Sequence, residues 1–435
     1  MVATLRLLVL TLPICTVAAS CAQTEVPVSS TLTLAHAEAI ALAHQPAMLA
    51  AQLRSQAAAE RTREARSGLL PTVVFNASGV RVADAGTSTA AGNITTSSIS
   101  GRFAYGANLS QLVTDFGRKH ALVESLHASA GAQAEMATLS RAQVRLNVRE
   151  SYFAVLGAEA VLRAAQAALD SRRLVVRQLT ALTQSELRST LDLNFANVLA
   201  SQAELAVVEA QSNVVQARTH LATAMGQAQE VSAALEDIAA TSQPLPPLPE
   251  GLQHEAQTQR ADLSAAKDES RAATEYAAAE KRLDRPTLNV LAAAGQVPFH
   301  DHTLKDNYAA AGFNLSIPVF NGGLFAARRR AAELEAGARV EDEQQVSLVV
   351  NEQVHDAWLH ADAAYRTLDV TARLVAQSRE ALRLAQDRYD AGLGSVVELN
   401  EAQLNETSAE ISAASAVDTY LTRRAELDFA AGLLN

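Results

Sequence analysis

Apolar positions recur every seven residues along two long stretches of the chain. Val148, Val155, Leu162, Leu169 and Val176 form one column, and Val354, Ala361, Leu368, Val375 and Leu382 form another. A sustained seven-residue column is the seam of coiled-coil-like packing. It predicts a helix over 118–184, roughly 100 Å long at about 1.5 Å per residue, with a counterpart in the second half. No proline lies between Pro71 and Pro244, and none follows Pro318. An interior proline costs a helix about 3 kcal/mol, so long helices are confined to those stretches. Ahead of each long helix the period drops to two. Phe75, Ala77 and Gly79, then Phe103, Tyr105, Ala107 and Leu109, alternate within 72–82 and 99–112, around a polar, turn-like 84–89. Segments 288–297 and 308–319 repeat the arrangement around Phe299-His300-Asp301-His302. Each half thus predicts a hairpin with strands about 10 residues long, enough to cross a bilayer at a tilt. Four strands cannot close a barrel and an open edge cannot sit in lipid, so spanning strands would have to be shared among several chains.

The two halves are one unit written twice. Asn108-Leu109-Ser110 returns as Asn314-Leu315-Ser316, an offset of 314 − 108 = 206. Without a gap the same offset carries Gly117 to Gly323, Val148 to Val354, Tyr152 to Trp358, Ser189 to Ser395 and Gly226 to Gly432. Pro244-Leu245-Pro246-Pro247-Leu248-Pro249 reads as an extended linker. The organisation expected is an export signal over 1–22, a first helix–hairpin–helix repeat over 23–235, a proline-rich linker over 236–252 and a second repeat over 253–435.

Composition agrees with long, closely packed helices: 49% of residues are hydrophobic but only 4% aromatic. A net charge of −11 argues against nucleic acid as a partner, since phosphate binding needs a basic face. Arg6, the apolar run 7–17 and the small residues after it have the order of a secretory signal. No later run of about 18 apolar residues predicts a transmembrane helix. The two cysteines, Cys15 and Cys21, sit in or beside that signal, which excludes a disulfide framework or a cysteine metal site. Cys21 follows Ala18-Ala19-Ser20 and could be acylated; the alternative is cleavage after Ala22, leaving Gln23 as the new terminus.

Candidate chemistry is sparse. His300 and His302 share a hairpin loop, His355 and His360 are five apart, and His120 and His127 are two turns apart. None of these supplies four ligands, so no metal site is expected. Gly322-Gly323 lacks the spacing and lysine of a phosphate loop. No nucleophile–base pairing is legible, and the chain reads as a non-enzyme without cofactor.

Several motifs, in order, resemble the outer-membrane factor (TolC-type) family of efflux and secretion channels. They are Leu32-Thr33-Leu34 with Ala37-Glu38-Ala39-Ile40 and Pro46, Arg66-Ser67-Gly68-Leu69-Leu70-Pro71, Leu109-Ser110-Gln111-Leu112 through Asp115-Phe116-Gly117-Arg118, Leu315-Ser316-Ile317-Pro318-Val319-Phe320, and Arg388-Tyr389-Asp390-Ala391-Gly392-Leu393-Gly394-Ser395. The resemblance covers nearly the whole mature chain. It implies a mainly helical fold with a membrane β-barrel: a homotrimer whose twelve strands lie in the outer membrane lipid above a twelve-helix periplasmic tunnel. It further implies a passive conduit working with a periplasmic adaptor protein and an inner-membrane pump of the RND or ABC type. The turns 186–194 and 392–400 would form the tunnel's periplasmic tip. Glu398 and Glu401 match the acids that narrow the aperture, and Asp192 matches an acid bonded by a tyrosine, here Tyr389. Leu187, Ser189 and Gly392-Leu393-Gly394-Ser395 match the adaptor-contact turns. Two departures are Gly394, where some relatives carry an arginine, and Leu191, where that arginine finds a hydroxyl, so that lock is expected to be absent. The rival class is a periplasmic coiled-coil adaptor or scaffold. Adaptors resemble one helical hairpin set in small β domains, whereas two complete units here leave no β-rich remainder.

Overall fold

The computed structural model of the chain describes residues 31–81, 87–90, 93–98, 102–186, 188–240, 244–247, 249–299 and 305–435. The export signal, Cys21, Leu187 and the His300–His302 loop lie outside the described residues. In chain order the elements are β1 (Thr31–Leu32), α1 (Leu34–His44), α2 (Pro46–Ser67), β2 (Thr72–Val80), β3 (Thr87–Ala90), β4 (Asn93–Ser98), β5 (Arg102–Thr114), α3 (Arg118–Gln184), α4 (Thr190–Ala224) and β6 (Ala234–Leu235). They continue with α5 (Pro249–Gln259), α6 (Ala261–Glu280), β7 (Thr287–Phe299), β8 (Asn307–Ser316), α7 (Leu324–Asp390) and α8 (Val396–Ala430). Helices α3 and α7 are both 67 residues long, α4 and α8 both 35, and the second pair starts 324 − 118 = 206 positions after the first.

Strands β2, β5, β7 and β8 form one antiparallel sheet in that order. Small pairs β3–β4 and β1–β6 stand apart from it. Strand β8 stops at Ser316, short of the expected 319, because Pro318 has no N–H to continue a ladder. Strand β7 instead runs past 297 to Phe299, through Pro298. There the register against β5 shifts between Phe103 and Tyr105, an irregularity at which proline is tolerated. The stretch read as a polar turn overlaps strand β3, Thr87–Ala90, at residues 87–89.

Each sheet-to-helix junction is a sharp bend in left-handed backbone. Gly117 and Gly323 precede α3 and α7 with φ of +84° in both cases. Phe116 and Gly322, directly before them, have φ of 58° and 62°.

The column positions Val148, Val155, Val354 and Ala361 are fully buried. Around Tyr152 and Phe153 of α3, a core gathers Ala37 and Ala41 of α1, Leu221 of α4, and Tyr420 and Leu421 of α8. The Tyr152 hydroxyl lies 2.8 Å from the carbonyls of both Leu32 and Glu236, which share its one proton, and so fastens β1 beside β6. Burial pushes that phenol up to about 12. Helix ends are joined in parallel ways in the two halves. Gln45, between α1 and α2, donates Nε2 to the carbonyls of Thr223 and Ala224 at 3.1 Å each. Arg260, between α5 and α6, donates Nη1 to the Ala430 carbonyl at 3.1 Å. The bonds to Ala224 and Ala430 satisfy carbonyls that the ends of α4 and α8 would leave orphaned, while the Thr223 carbonyl also accepts from Gly226 N at 3.0 Å.

The stretch expected to be a linker is strapped to the helices. Trp358 Nε1 donates to the Pro246 carbonyl at 3.3 Å, and Leu245 packs on the Val350–Val354 cluster. Helix α5 starts inside that stretch, at Pro249, since a first helical residue needs no N–H.

Candidate functional site: the barrel wall and the tip

The sheet register assigns side chains to two faces. Val73, Leu109, Ala292 and Ala311 lie in one row, Phe75, Ala107, Ala294 and Ala309 in the next, and Val290 and Phe313 in another on the same face. The opposite face carries Asn76, Ser78, Asn108, Ser110, Asn289, Asn314 and Ser316, interspersed with Val74, Leu112, Leu291 and small residues. A mainly apolar face, with the serines and most asparagines of the sheet on a mixed reverse, suits strands between lipid and a wet lumen. On the apolar face Phe75 and Phe103 lie 6.2 and 6.1 Å from Tyr105, and Phe75, Phe299 and Phe313 are among the most exposed side chains. Phe313 stands level with Val290, nine residues before Phe299. At about 3.3 Å per residue and a tilt of roughly 40°, that separation is about 23 Å of height. Aromatic side chains therefore stand at both ends of a largely apolar band, which includes Gln111 and Gln296 and is close to the roughly 25 Å of a membrane barrel's apolar belt.

At the far end of the helices, Leu179, Ala196, Ala385, Tyr389, Val396 and Leu399 bring α3, α4, α7 and α8 into one cluster. Helices α4 and α8 begin at Thr190 and Val396, so the turns are shorter than the expected 186–194 and 392–400. Serine caps set these starts: Ser189 Oγ accepts from Leu191 N and Ser395 Oγ from Glu398 N, both at 3.1 Å. Gly392, φ +73°, ends α7, and the amides of Leu393 and Gly394 return to the Arg388 carbonyl at 2.8 and 3.0 Å.

Tyr389 does not bond Asp192. Its hydroxyl is buried without a partner among the described residues, and burial is the first cause raising its pKa, with the Asp192 charge adding to it. Arg188 covers the ring instead. Its guanidinium carbon lies 4.5 Å from the ring centroid, and Nη2 donates to the Tyr389 carbonyl at 3.3 Å. A second arginine, Arg388, sits 3.2 Å from Glu398 Oε1, in an exposed pair of small energetic weight. Glu401 is exposed one turn further on and makes no ion pair among the described residues. The sequence reading missed Arg188 and took Arg388 only as part of a motif, without its pairing to Glu398. The signal for Arg188 was only its place beside the Ser189 cap. Leu393 and Leu191 are exposed at the same end, at 76% and 59%. Among the described residues no group of His, Cys, Asp and Glu could hold a metal ion.

The sequence matches the outer membrane efflux protein family over 39–227 and 252–433. No curated protein sequence matches the chain. Among solved structures, the outer-membrane channel OprN is 21% identical with a TM-score of 0.79, covering 92% of this chain and 89% of its own. CusC is 20% identical with a TM-score of 0.81, covering 92% of both chains. VceC of Vibrio cholerae is 19% identical with a TM-score of 0.76, covering 92% of this chain and 96% of its own. At such identities the likeness establishes a shared fold. A family match spanning both halves leaves the adaptor alternative without support. The chain belongs to the outer membrane efflux protein family, channel proteins of the bacterial outer membrane that extend into the periplasm.

Proposed function

We propose that three copies close their four-stranded sheets into one twelve-stranded barrel, and that the trimer is a passive conduit from periplasm to exterior. The observation carrying this is a lipid-suited sheet whose outer strands, β2 and β8, each pair on one side only among the described residues. Two open edges in hydrocarbon leave backbone groups unsatisfied, and edge-to-edge closure by further copies removes them. The repeats over 23–235 and 253–435 each supply one hairpin and one long helix pair. The pump and adaptor inferred from the resemblance would supply energy and attachment, the adaptor meeting Gly392–Ser395 and the turn of Leu187 and Ser189.

The tip is read as an acidic aperture. Threefold symmetry would gather Glu398 and Glu401 as six carboxylates around one axis, which concentrates cations at a constriction. Single-channel recording in planar bilayers tests this. Glu398→Ala with Glu401→Ala should weaken cation selectivity and block by multivalent cations. Unchanged selectivity and block would show that the two acids do not line the aperture.

Arg188 on Tyr389 joins the turn of the first helix pair to the end of the second. A cation–π contact of this kind is worth about 1 kcal/mol, or roughly fivefold in a closed-to-open ratio. Arg188→Ala is therefore expected to raise open probability by about that factor, read in the same bilayers. An unaltered gating record would remove the contact from the closure mechanism.

A further inference from the structure

We propose that the collar where the sheet meets the helices binds anionic phospholipid headgroups of the leaflet facing the periplasm; this rests on the reading of the sheet as a membrane barrel. The chain as a whole is acidic, at −11. Yet segments 61–70, 115–120, 280–286 and 324–333 together hold eleven Lys and Arg against five Asp and Glu. Their surplus of six leaves −17 for the remainder of the chain. All four segments adjoin the sheet: α2 ends just before β2, α3 starts just after β5, α6 ends just before β7, and α7 starts just after β8.

Part of this charge is used internally. Glu280 holds Arg118 and Arg328, and Glu333 holds Lys281 and Arg330. Nearest the sheet, Arg66, Arg285 and Arg329 make no ion pair among the described residues, and Arg66 and Arg285 are exposed; Arg61, also exposed and unpaired, lies more than a turn further along α2 from the sheet. Guanidinium groups suit phosphate oxygens through paired, charge-assisted hydrogen bonds. At the edge of an apolar band, cations reach the headgroup layer while aromatic rings settle at its boundary.

Phe116 adds an independent observation. A bulky residue is disfavoured at a φ of 58°, and the corresponding position 116 + 206 = 322 is a glycine with nearly the same φ. The first half nevertheless keeps an aromatic ring there, 54% exposed, immediately before the basic start of α3. Strain retained beside an exposed ring points to a use for the ring. Contact with the lipid boundary, directly above the arginines, supplies one.

Native mass spectrometry of the detergent-purified protein, offered phosphatidylglycerol or phosphatidylcholine, tests the collar. The parent should retain phosphatidylglycerol preferentially, by roughly fivefold for each arginine that reaches a headgroup. Arg66→Gln, Arg285→Gln and Arg329→Gln together should abolish the preference while leaving the Glu280 and Glu333 pairs intact. Phe116→Gly, which relieves the backbone, should reduce retention of both lipids alike. The proposal is overturned by a parent without preference, by a triple variant that keeps it, or by inorganic phosphate alone displacing the lipid, which would mean a free-anion site. Insertion into vesicles of pure phosphatidylcholine is the control. Failure to insert there overturns the barrel reading and this proposal with it, whereas insertion without headgroup preference overturns the collar alone.

Discussion

Glu280→Ala is expected to destabilise the protein by about 2–3 kcal/mol. Glu280 is the last residue of α6 and only 2% exposed. Its two oxygens accept from Arg328 Nε and Nη2 at 2.8 and 2.9 Å, and Arg118 Nη2 lies 3.9 Å away. Each of these residues is badly placed for its own helix. A carboxylate at a C-terminus and arginines near N-termini all oppose the helix dipole. Their mutual pairing resolves the conflict and ties the first turns of both long helices together beneath the sheet. Breaking a fully buried pair costs about 3–5 kcal/mol. Here the arginine side chains keep 32% and 43% exposure and can turn to water, which lowers the expected loss. Glu280→Gln should cost less, because it keeps acceptor capacity. Denaturant melts of the parent and both variants measure this. A Glu280→Ala protein melting with the parent would show that the carboxylate does not hold the junction.

Gly157→Leu is expected to have the larger effect, separating α3 from α8 and costing upwards of about 3 kcal/mol. Gly157 is buried, and a Cβ built on it would lie 2.9 Å from both Cβ and Cγ of Asp418 on α8. The seam between the two halves therefore closes only because position 157 has no side chain. Alanine there should cost about 1–3 kcal/mol, since a cavity of about 160 Å³ beside Phe153 and Ile238 lets Asp418 yield partway. Burial also raises the Asp418 carboxyl above the ordinary aspartate range. Its ionised form is thus disfavoured by the fold, and stability contributed by its protonated form is lost as pH rises through the folded pKa. Asp418→Asn should consequently stabilise the protein at neutral pH and be neutral in acid. Thermal melts at pH 4 and pH 8 check the sign. A Gly157→Leu variant as stable as the parent would contradict the close approach.

Much of this architecture was legible in the sequence because its signals are local or strictly repeated. The bounds of α3 matched the expected 118–184, since the bend at Phe116-Gly117 and the polar turn after Gln184 are local stops. Strand ends were less legible. Pro318 ended β8 early, whereas Pro298 was accommodated because β5 and β7 change register beside it, which only pairing reveals. The tip was read by resemblance, and its pairing came out differently. Arg188 and Tyr389 are 201 positions apart, and periodicity within a helix carries no information about which turns meet. The Glu280 clamp was equally hidden, since a charged residue at a helix end reads as solvated until the neighbouring helices are placed around it.

The most direct test of the barrel is the mass of the detergent-solubilised particle, corrected for bound detergent. Closure of two open edges predicts a particle of three chains carrying a detergent belt around the aromatic-bounded band. A monodisperse single chain that binds no detergent would contradict it.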